Sequence, residues 1–148
     1  MEIELFSDEY FMKQALVEAQ KAFDKEEIPV GAIIVVNNSI VARAYNLTET
    51  LNDVTAHAEM QVITAAASAI GSKYLDECTM YITLEPCVMC AGAIFWSQLQ
   101  KLVYGATDTK RGYTRLQLPL LHPKTQVIKG VMAHESELLM KEFFGKKR

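Results

Sequence analysis

The sequence predicts a layered α/β fold, because short β-branched segments alternate with longer segments that have helical character. Residues 30–36 form an apolar, β-branched run, whereas residues 57–70 are rich in good helix formers. Such alternation is typical of a sheet that is covered by helices. No repeat and no Pro/Gly/Ser-rich linker divides the chain, so we expect a single domain over residues 1–148.

The first elements are a helix and a two-stranded meander. Ser7 or Asp8 can cap the helix, and Pro29 stops it. Residues 30–36 predict a strand, an Asn-Asn turn follows, and residues 40–45 can return as the second arm of a hairpin. The helix is predicted by apolar residues at every fourth position: Phe11, Ala15, Ala19 and Phe23.

Two further helices and a strand follow. Residues 57–70 carry almost no charge and precede Gly71, a residue suited to end a helix, so this helix is apolar all round and is expected to be buried. Residues 78–84 predict a strand. Pro86 can open the next helix, which continues to about Leu99.

The last third has weaker signals. Residues 101–105 and 125–129 predict strands, and residues 107–124 are irregular. Residues 135–144 predict an amphipathic helix. The sheet is therefore completed by strands from the carboxyl-terminal part of the chain.

Composition excludes several classes of protein. Half of the residues are hydrophobic and 22% are charged, which excludes a largely disordered chain. The longest apolar run, residues 30–36, is too short to cross a bilayer, and residues 1–4 lack the basic start of a signal peptide. Three cysteines cannot pair evenly, and two stand in a C-x-x-C spacing, so we expect a reducing compartment, the cytoplasm, and no membrane.

Charge is divided unevenly along the chain. Residues 1–100 hold 5 basic and 14 acidic side chains, whereas residues 101–148 hold 10 basic and 4 acidic ones. A basic last third can face a polyanion such as nucleic acid, and it can equally be a solvated surface. Charge alone leaves both interpretations open.

Three residues at two helix starts can hold one metal ion. Cys87 and Cys90 lie three positions apart, so both sulfurs can reach a single cation, and the helix dipole favours their thiolate forms. His57 begins the other buried helix and is the expected third ligand. Zinc accepts this donor set, and three protein ligands leave a fourth position for water, which marks a catalytic rather than a structural site.

Glu59 follows the expected histidine ligand by two residues. A carboxylate there is close to the metal among apolar neighbours and is suited to move protons during attack by a zinc-activated water. H-x-E combined with P-C-x-x-C is the known signature of zinc nucleobase deaminases. A C-x-x-C alone would also fit a redox pair or a closed structural zinc, but His122 and His134 lack the spacing of a fourth ligand, and Cys78 is expected to pack in the core.

The two metal segments closely resemble those of the bacterial tRNA-specific adenosine deaminases, within the cytidine and deoxycytidylate deaminase superfamily. The likeness covers most of the chain, up to the Phe143-Phe144 pair. It is carried by residues 55–59, Thr-Ala-His-Ala-Glu, and residues 83–94, Thr-Leu-Glu-Pro-Cys-Val-Met-Cys-Ala-Gly-Ala-Ile. The resemblance implies a cytidine-deaminase-like fold, a three-layer α/β/α sandwich around a mixed five-stranded sheet. It also implies a homodimer, one zinc per subunit, and conversion of the wobble adenosine in a tRNA anticodon loop to inosine.

The resemblance also assigns roles to individual residues. It makes His57, Cys87 and Cys90 the zinc ligands and Glu59 the proton shuttle. Asn46 matches a family asparagine that contacts the target nucleoside, and it also fits an ordinary turn. The further candidates fit ordinary core or loop positions as well. The further substrate-binding candidates are Val30, Ala58 and Asp108.

The chain departs from the family pattern at two places. Residues 110–116 replace a run of small residues, so the family pattern does not assign the substrate rim. The aromatic Phe95-Trp96 pair resembles the corresponding residues of guanine deaminases, which act on free bases. The rim is nevertheless basic, which suits RNA phosphates. The candidate backbone contacts are Lys110, Arg111, Arg115 and the terminal Lys146, Lys147 and Arg148.

Three functions therefore compete. The first is deamination of adenosine in a tRNA anticodon stem-loop, the second is deamination of a free base or nucleoside of guanine or cytosine type, and the third is a zinc-stabilised RNA-binding scaffold. Glu59 argues against a scaffold, because a purely structural role would not require a carboxylate at this position. The helix over residues 88–99 is apolar on nearly every side and carries Gly92 and Ala93, which favours close packing against a second copy.

Overall fold

The computed structural model describes residues 2–146 and contains a five-stranded mixed sheet between two layers of helices, which confirms the predicted fold class. A 3₁₀ turn, Tyr113–Leu116, interrupts the segment predicted to be irregular. In chain order the elements are α1 Asp8–Asp24, β1 Gly31–Val36, β2 Ser39–Tyr45, α2 Ala58–Ile70, β3 Thr79–Leu84, α3 Val88–Ser97, β4 Lys101–Ala106, β5 Gln126–Lys129 and α4 Ala133–Lys146.

The strands lie in the order β2-β1-β3-β4-β5. β1 pairs antiparallel with β2 and with β3, whereas β3, β4 and β5 run parallel to one another. Helix α3 makes the crossover between β3 and β4. The parallel strands β3 and β4 end side by side, where Leu84 pairs with Ala106. This edge is where open α/β sheets bind ligands.

Each face of the sheet has its own apolar core. Ile34, Ile82 and Leu102 pack with α2 and α3 residues such as Val62 and Ile94. Residues of the opposite parity point to the other face, as the two-residue period of strands requires. There α1 packs against the following side chains: Ile33, Val35, Tyr81 and Val103.

The first helix sits unusually close to the sheet. A side chain at Gly31 would collide with the backbone of Ala15 and Ala19, so glycine permits this approach. Ser7 is the cap, and its side chain accepts a hydrogen bond from the backbone N–H of Tyr10 at 3.2 Å. The predicted start of the helix is therefore confirmed.

The expectation that residues 57–70 are buried on every side is wrong for the chain taken alone. Helix α2 buries one face and exposes Ala65, Ala69 and Ile70, because the sheet covers a single side and small residues gain little from burial. Helix α3 exposes Val88 and Trp96, and Trp96 is 76% exposed. It also ends at Ser97 rather than Leu99, since Gln98 adopts a left-handed conformation.

Within residues 2–146, no helix is both long enough and apolar enough to span a bilayer.

Candidate metal centre and substrate cleft

The amino termini of α2 and α3 meet at a cluster of three metal-ligating side chains. His57 and Cys87 are the residues just before the two helices, and Cys90 lies in the first turn of α3. Nδ1 of His57 lies 3.5 Å from Sγ of Cys90 and 3.7 Å from Sγ of Cys87. Ligands of a tetrahedral zinc stand roughly 3.6 Å apart, given the usual Zn–N and Zn–S lengths. The three residues therefore have the spacing and the donor chemistry to hold one zinc ion.

The cysteine thiols differ in acidity because they interact. A hydrogen bond with Cys90 and another with His57 lower the pKa of Cys87 to about 4. The hydrogen bond with Cys87, together with burial, raises the pKa of Cys90. One thiolate thus forms readily beside a protonated neighbour. A bound cation favours the thiolate forms of both.

Glu59 is buried beside this cluster, on the first turn of α2. It is only 4% exposed, and burial raises the pKa of its carboxyl to about 7. The interactions that favour its charged form come from its own backbone N–H, His57 and Cys90. A carboxyl with so few fixed donors can exchange a proton with a molecule in the cleft.

A cleft of about 960 Å³ opens above these residues, at the carboxyl ends of β3 and β4. Arg115 is exposed on the 3₁₀ turn and does not line this cleft. Lys146 is exposed at the end of α4, while Lys147 and Arg148 lie outside the described residues. The cleft lining includes six further residues singled out from the sequence: Val30, Asn46, Ala58, Asp108, Lys110 and Arg111.

Two of the candidate substrate residues also organise their own loops. The amide of Asn46 donates to the carbonyl of Ile28 at 3.3 Å, and its Oδ1 accepts from the N–H of Thr48. Oδ1 of Asp108 accepts from the N–H groups of Lys110 and Arg111 at 3.1 and 3.0 Å. Their side chains therefore fix backbone around the cleft as well as line it.

Sequence reasoning missed the contacts of two buried glutamates: Glu85 lines the cleft, and Glu27 lines a second, smaller pocket next to it. Glu27 accepts hydrogen bonds from the backbone of Glu49 and from the backbone and hydroxyl of Thr50. Glu85 makes the same pattern with Asp108 and Thr114. Local sequence gives no signal for either glutamate, because the residues that each one binds lie more than 20 positions away.

Helix α4 closes one side of the cleft, which was also missed. Its amphipathic pattern predicts a helix but does not show that both charged and apolar side chains of that helix face the cleft. Four α4 residues line the cleft: Glu137, Met140, Lys141 and Phe144.

The alternative ligands lie elsewhere. Cys78 is 1% exposed within the core, as expected. The ring of His122 packs against Phe95, and His134 is exposed. Among residues 2–146, His57, Cys87 and Cys90 form the sole group of three or more His, Cys, Asp or Glu side chains arranged for a metal ion.

Residues 6–106 match the family model described as the cytidine and deoxycytidylate deaminase zinc-binding region. The chain is 44% identical over 142 residues to the tRNA-specific adenosine deaminase of Bacillus subtilis strain 168, a match that covers 93% of this chain and 88% of that protein. A solved structure from a study of A-to-I editing by tRNA:A34 deaminases at the wobble position superposes with a TM-score of 0.82 and 41% identity, over 88% of this chain and 98% of the other. The X-ray structure of a guanine deaminase from Bacillus subtilis has 39% identity and a TM-score of 0.67, over 70% of this chain and 66% of the other.

Proposed function

The chain belongs to the cytidine and deoxycytidylate deaminase family, and we propose that it hydrolytically deaminates the wobble adenosine of a tRNA anticodon loop to inosine. The observation that carries this proposal is a buried glutamate beside a His-Cys-Cys metal group at the base of a cleft. Relatives that match nearly the whole chain bear the name tRNA-specific adenosine deaminase, which supports the substrate.

The protein is a zinc-dependent hydrolase, and we assign His57, Cys87 and Cys90 as its zinc ligands. Their ligand atoms lie within 4.8 Å of one another, and their chemistry suits zinc better than magnesium or calcium, which prefer oxygen. When bound, zinc supplies the Lewis acidity that makes water a nucleophile at neutral pH. We expect one ion per subunit.

Glu59 then moves the protons of the reaction. In deamination, water oxygen bonds to C6 of adenine, and the amino group leaves as ammonia. The carboxylate of Glu59 accepts a proton as this oxygen attacks and returns it to the departing nitrogen. Because the side chain is buried at the base of the cleft, bulk water does not compete for that proton.

The walls of the cleft supply the binding surface. Val30 and Ala58 offer apolar contact to a base that has left its stack, and Asn46 and Asp108 offer polar groups near the nucleoside. Lys110 and Arg111 are exposed at the rim, where the phosphates of an RNA loop would pass. Arg115 lies beyond the cleft and would contact backbone further along the loop.

A substrate test separates RNA from free-base deamination. We expect the purified protein to produce inosine and ammonia from an unmodified anticodon stem-loop whose wobble position is adenosine. Guanine, cytosine and free adenosine serve as parallel substrates. The same stem-loop with guanosine at the wobble position is the matched control. Turnover of a free base with none of the stem-loop would overturn the proposal in favour of a free-base enzyme.

We further propose that the chain is one deaminase domain that acts as a homodimer in the cytoplasm. Helix α3 presents Val88, Met89 and Trp96 to solvent, and a side chain added at Gly92 would meet no described atom outside its own helix within 4 Å. Such an exposed apolar face is typical of a subunit interface. The three cysteines are free, which suits a reducing compartment.

Light scattering tests the dimer. The wild type should have the mass of two chains at micromolar concentration, and Trp96→Glu should shift it towards one chain because a charge would be buried in the interface. Leu138→Glu, on an exposed position of α4 across the sheet, is the matched control and should leave the mass unchanged. A wild type that is monomeric throughout would refute the proposal.

A further inference from the structure

We propose that Glu85 is a positioning residue that fixes the rim loop, residues 107–116, to the metal-binding turn, so that the RNA-binding rim and the zinc ligands keep one relative position. The proposal rests on the function proposed above, since it concerns how the same cleft holds its RNA substrate. Glu85 lies between the end of β3 and Cys87, and neither the sequence motifs nor the proposed chemistry gives it a role.

The carboxylate of Glu85 binds both ends of the rim loop. Its Oε1 accepts from the N–H of Asp108 at 3.1 Å, and its Oε2 accepts from the N–H and the hydroxyl of Thr114 at 2.9 and 2.7 Å. The side chain is 2% exposed. Within residues 2–146 it forms no ion pair with Lys or Arg, so its charge is met by loop donors alone. A carboxylate has enough lone pairs to accept all three bonds.

The residues next to Glu85 hold the same loop through backbone contacts. Cys87 and Gly112 form an isolated antiparallel bridge, and the N–H of Tyr113 donates to the carbonyl of Pro86 at 2.9 Å. Gly112 packs directly on the carboxylate, where a side chain would collide with Glu85. The loop is thus joined to the turn that carries a zinc ligand.

From Glu85 the contacts continue to the basic residues. Asp108, whose N–H is held by Glu85, accepts through its own carboxylate from the N–H groups of Lys110 and Arg111. The backbone positions of both cations therefore depend on Glu85 through one intermediate residue. Without the carboxylate, three donors of the loop lose the acceptor that they share. Lys110 and Arg111 are then no longer held at a fixed distance from the zinc ligands.

Glu85→Gln and Thr114→Val test this role. The first keeps the shape but replaces one acceptor oxygen by a donor that faces N–H and O–H donors. The second removes the hydroxyl bond and keeps the backbone N–H. Thr125→Val is the matched control, because the Thr125 hydroxyl makes a similar bond of 2.6 Å to the Leu99 carbonyl, away from the cleft.

We expect Glu85→Gln to raise KM for the anticodon stem-loop about tenfold and Thr114→Val to raise it by about threefold, with kcat within about threefold and zinc content unchanged. A purely structural role would lower the active fraction instead, so kcat would fall and KM would stay constant. Unchanged KM in both variants would overturn the proposal, as would zinc loss from Thr114→Val. If Glu85→Gln fails to fold, Thr114→Val decides alone.

Limited trypsin digestion provides a readout that does not depend on activity. Cleavage after Lys110 and Arg111 should be faster in Glu85→Gln and Thr114→Val than in Thr125→Val, because a released loop opens to the protease more often. Equal cleavage in all three would contradict the proposal. If the wild type does not deaminate the stem-loop, the proposed function fails, whereas this digestion still tests Glu85.

Discussion

Glu59 and Glu27 are equally hidden from water, at 4% and 0% exposure, yet they differ in proton affinity. Burial raises the pKa of Glu59 to about 7. Burial acts in the same direction on Glu27, but hydrogen bonds from Thr50 and Glu49 outweigh it and lower the pKa of that carboxyl. Glu27 therefore has fixed donors that offset its burial, whereas Glu59 has too few to offset its own.

The difference assigns different work to the two buried glutamates. Glu27 accepts three bonds of 2.6 to 3.1 Å from residues 49 and 50, so its charge is fully used in holding the loop after Asn46. Glu59 faces the metal group with few donors and remains able to take up a proton. Loss of the first should affect stability, and loss of the second should affect turnover.

The largest effect is expected from the metal group itself. Cys87→Ala should abolish zinc binding and deamination, since two remaining ligands hold zinc weakly. Metal analysis of the purified variant and a stem-loop assay would measure this. Cys78→Ala removes a buried cysteine outside the group and should keep one zinc per subunit. Full zinc content in Cys87→Ala would refute the ligand assignment.

Glu59→Gln should separate metal binding from chemistry. The amide keeps the size of the side chain but cannot accept and return a proton, so we expect turnover to fall about 10²- to 10⁴-fold. Zinc content should stay at one per subunit, as in Glu77→Gln, an exposed glutamate control. An active Glu59→Gln would sink the proton-shuttle role, and a metal-free one would make Glu59 part of the zinc site.

The metal group and Glu59 could be predicted because short-range spacing encodes them. His57 and Glu59 are two positions apart, and Cys87 and Cys90 are one helical turn apart. Helix starts and the layered α/β class followed from periodicity and capping in the same way, as at Ser7, whereas the mixed strand directions were implied by the family resemblance.

The contacts of Glu27 and Glu85 could not be predicted, because they join positions that are distant in the sequence. Glu27 binds residues 22 and 23 positions away, and Glu85 binds residues 23 and 29 positions away. The exposed face of α2 was missed for another reason. When small, uncharged residues such as alanine and threonine occur on every side of a helix, the pattern does not show which side a partner covers. Local sequence pattern predicts the secondary-structure element of a residue better than it predicts the tertiary contacts of that residue.

The basic rim should contribute to affinity rather than to chemistry. Lys110→Ala combined with Arg111→Ala should flatten the slope of log affinity against log salt by about two units, one for each lost phosphate contact. Fluorescence anisotropy of a labelled stem-loop at several salt concentrations would measure the slope. Lys124→Ala with Lys129→Ala removes two exposed cations outside the cleft lining and should leave it unchanged. An unchanged slope in the first pair would make the rim an ordinary solvated surface.

Glu27→Gln should have the smallest effect on turnover, within about threefold per folded molecule, while costing about 1–3 kcal/mol of stability at pH 7. The native pKa of Glu27 lies below its ordinary value near 4.5, so its contribution to stability is complete above that pH and is lost as pH falls further. Urea unfolding at pH 7 and below pH 4.5 should therefore show a gap between wild type and variant that narrows in acid. Glu26→Gln, on the exposed neighbouring side chain, should show no gap at either pH. A gap that widens in acid would mean that Glu27 is protonated in the native protein, and the contrast with Glu59 would fail.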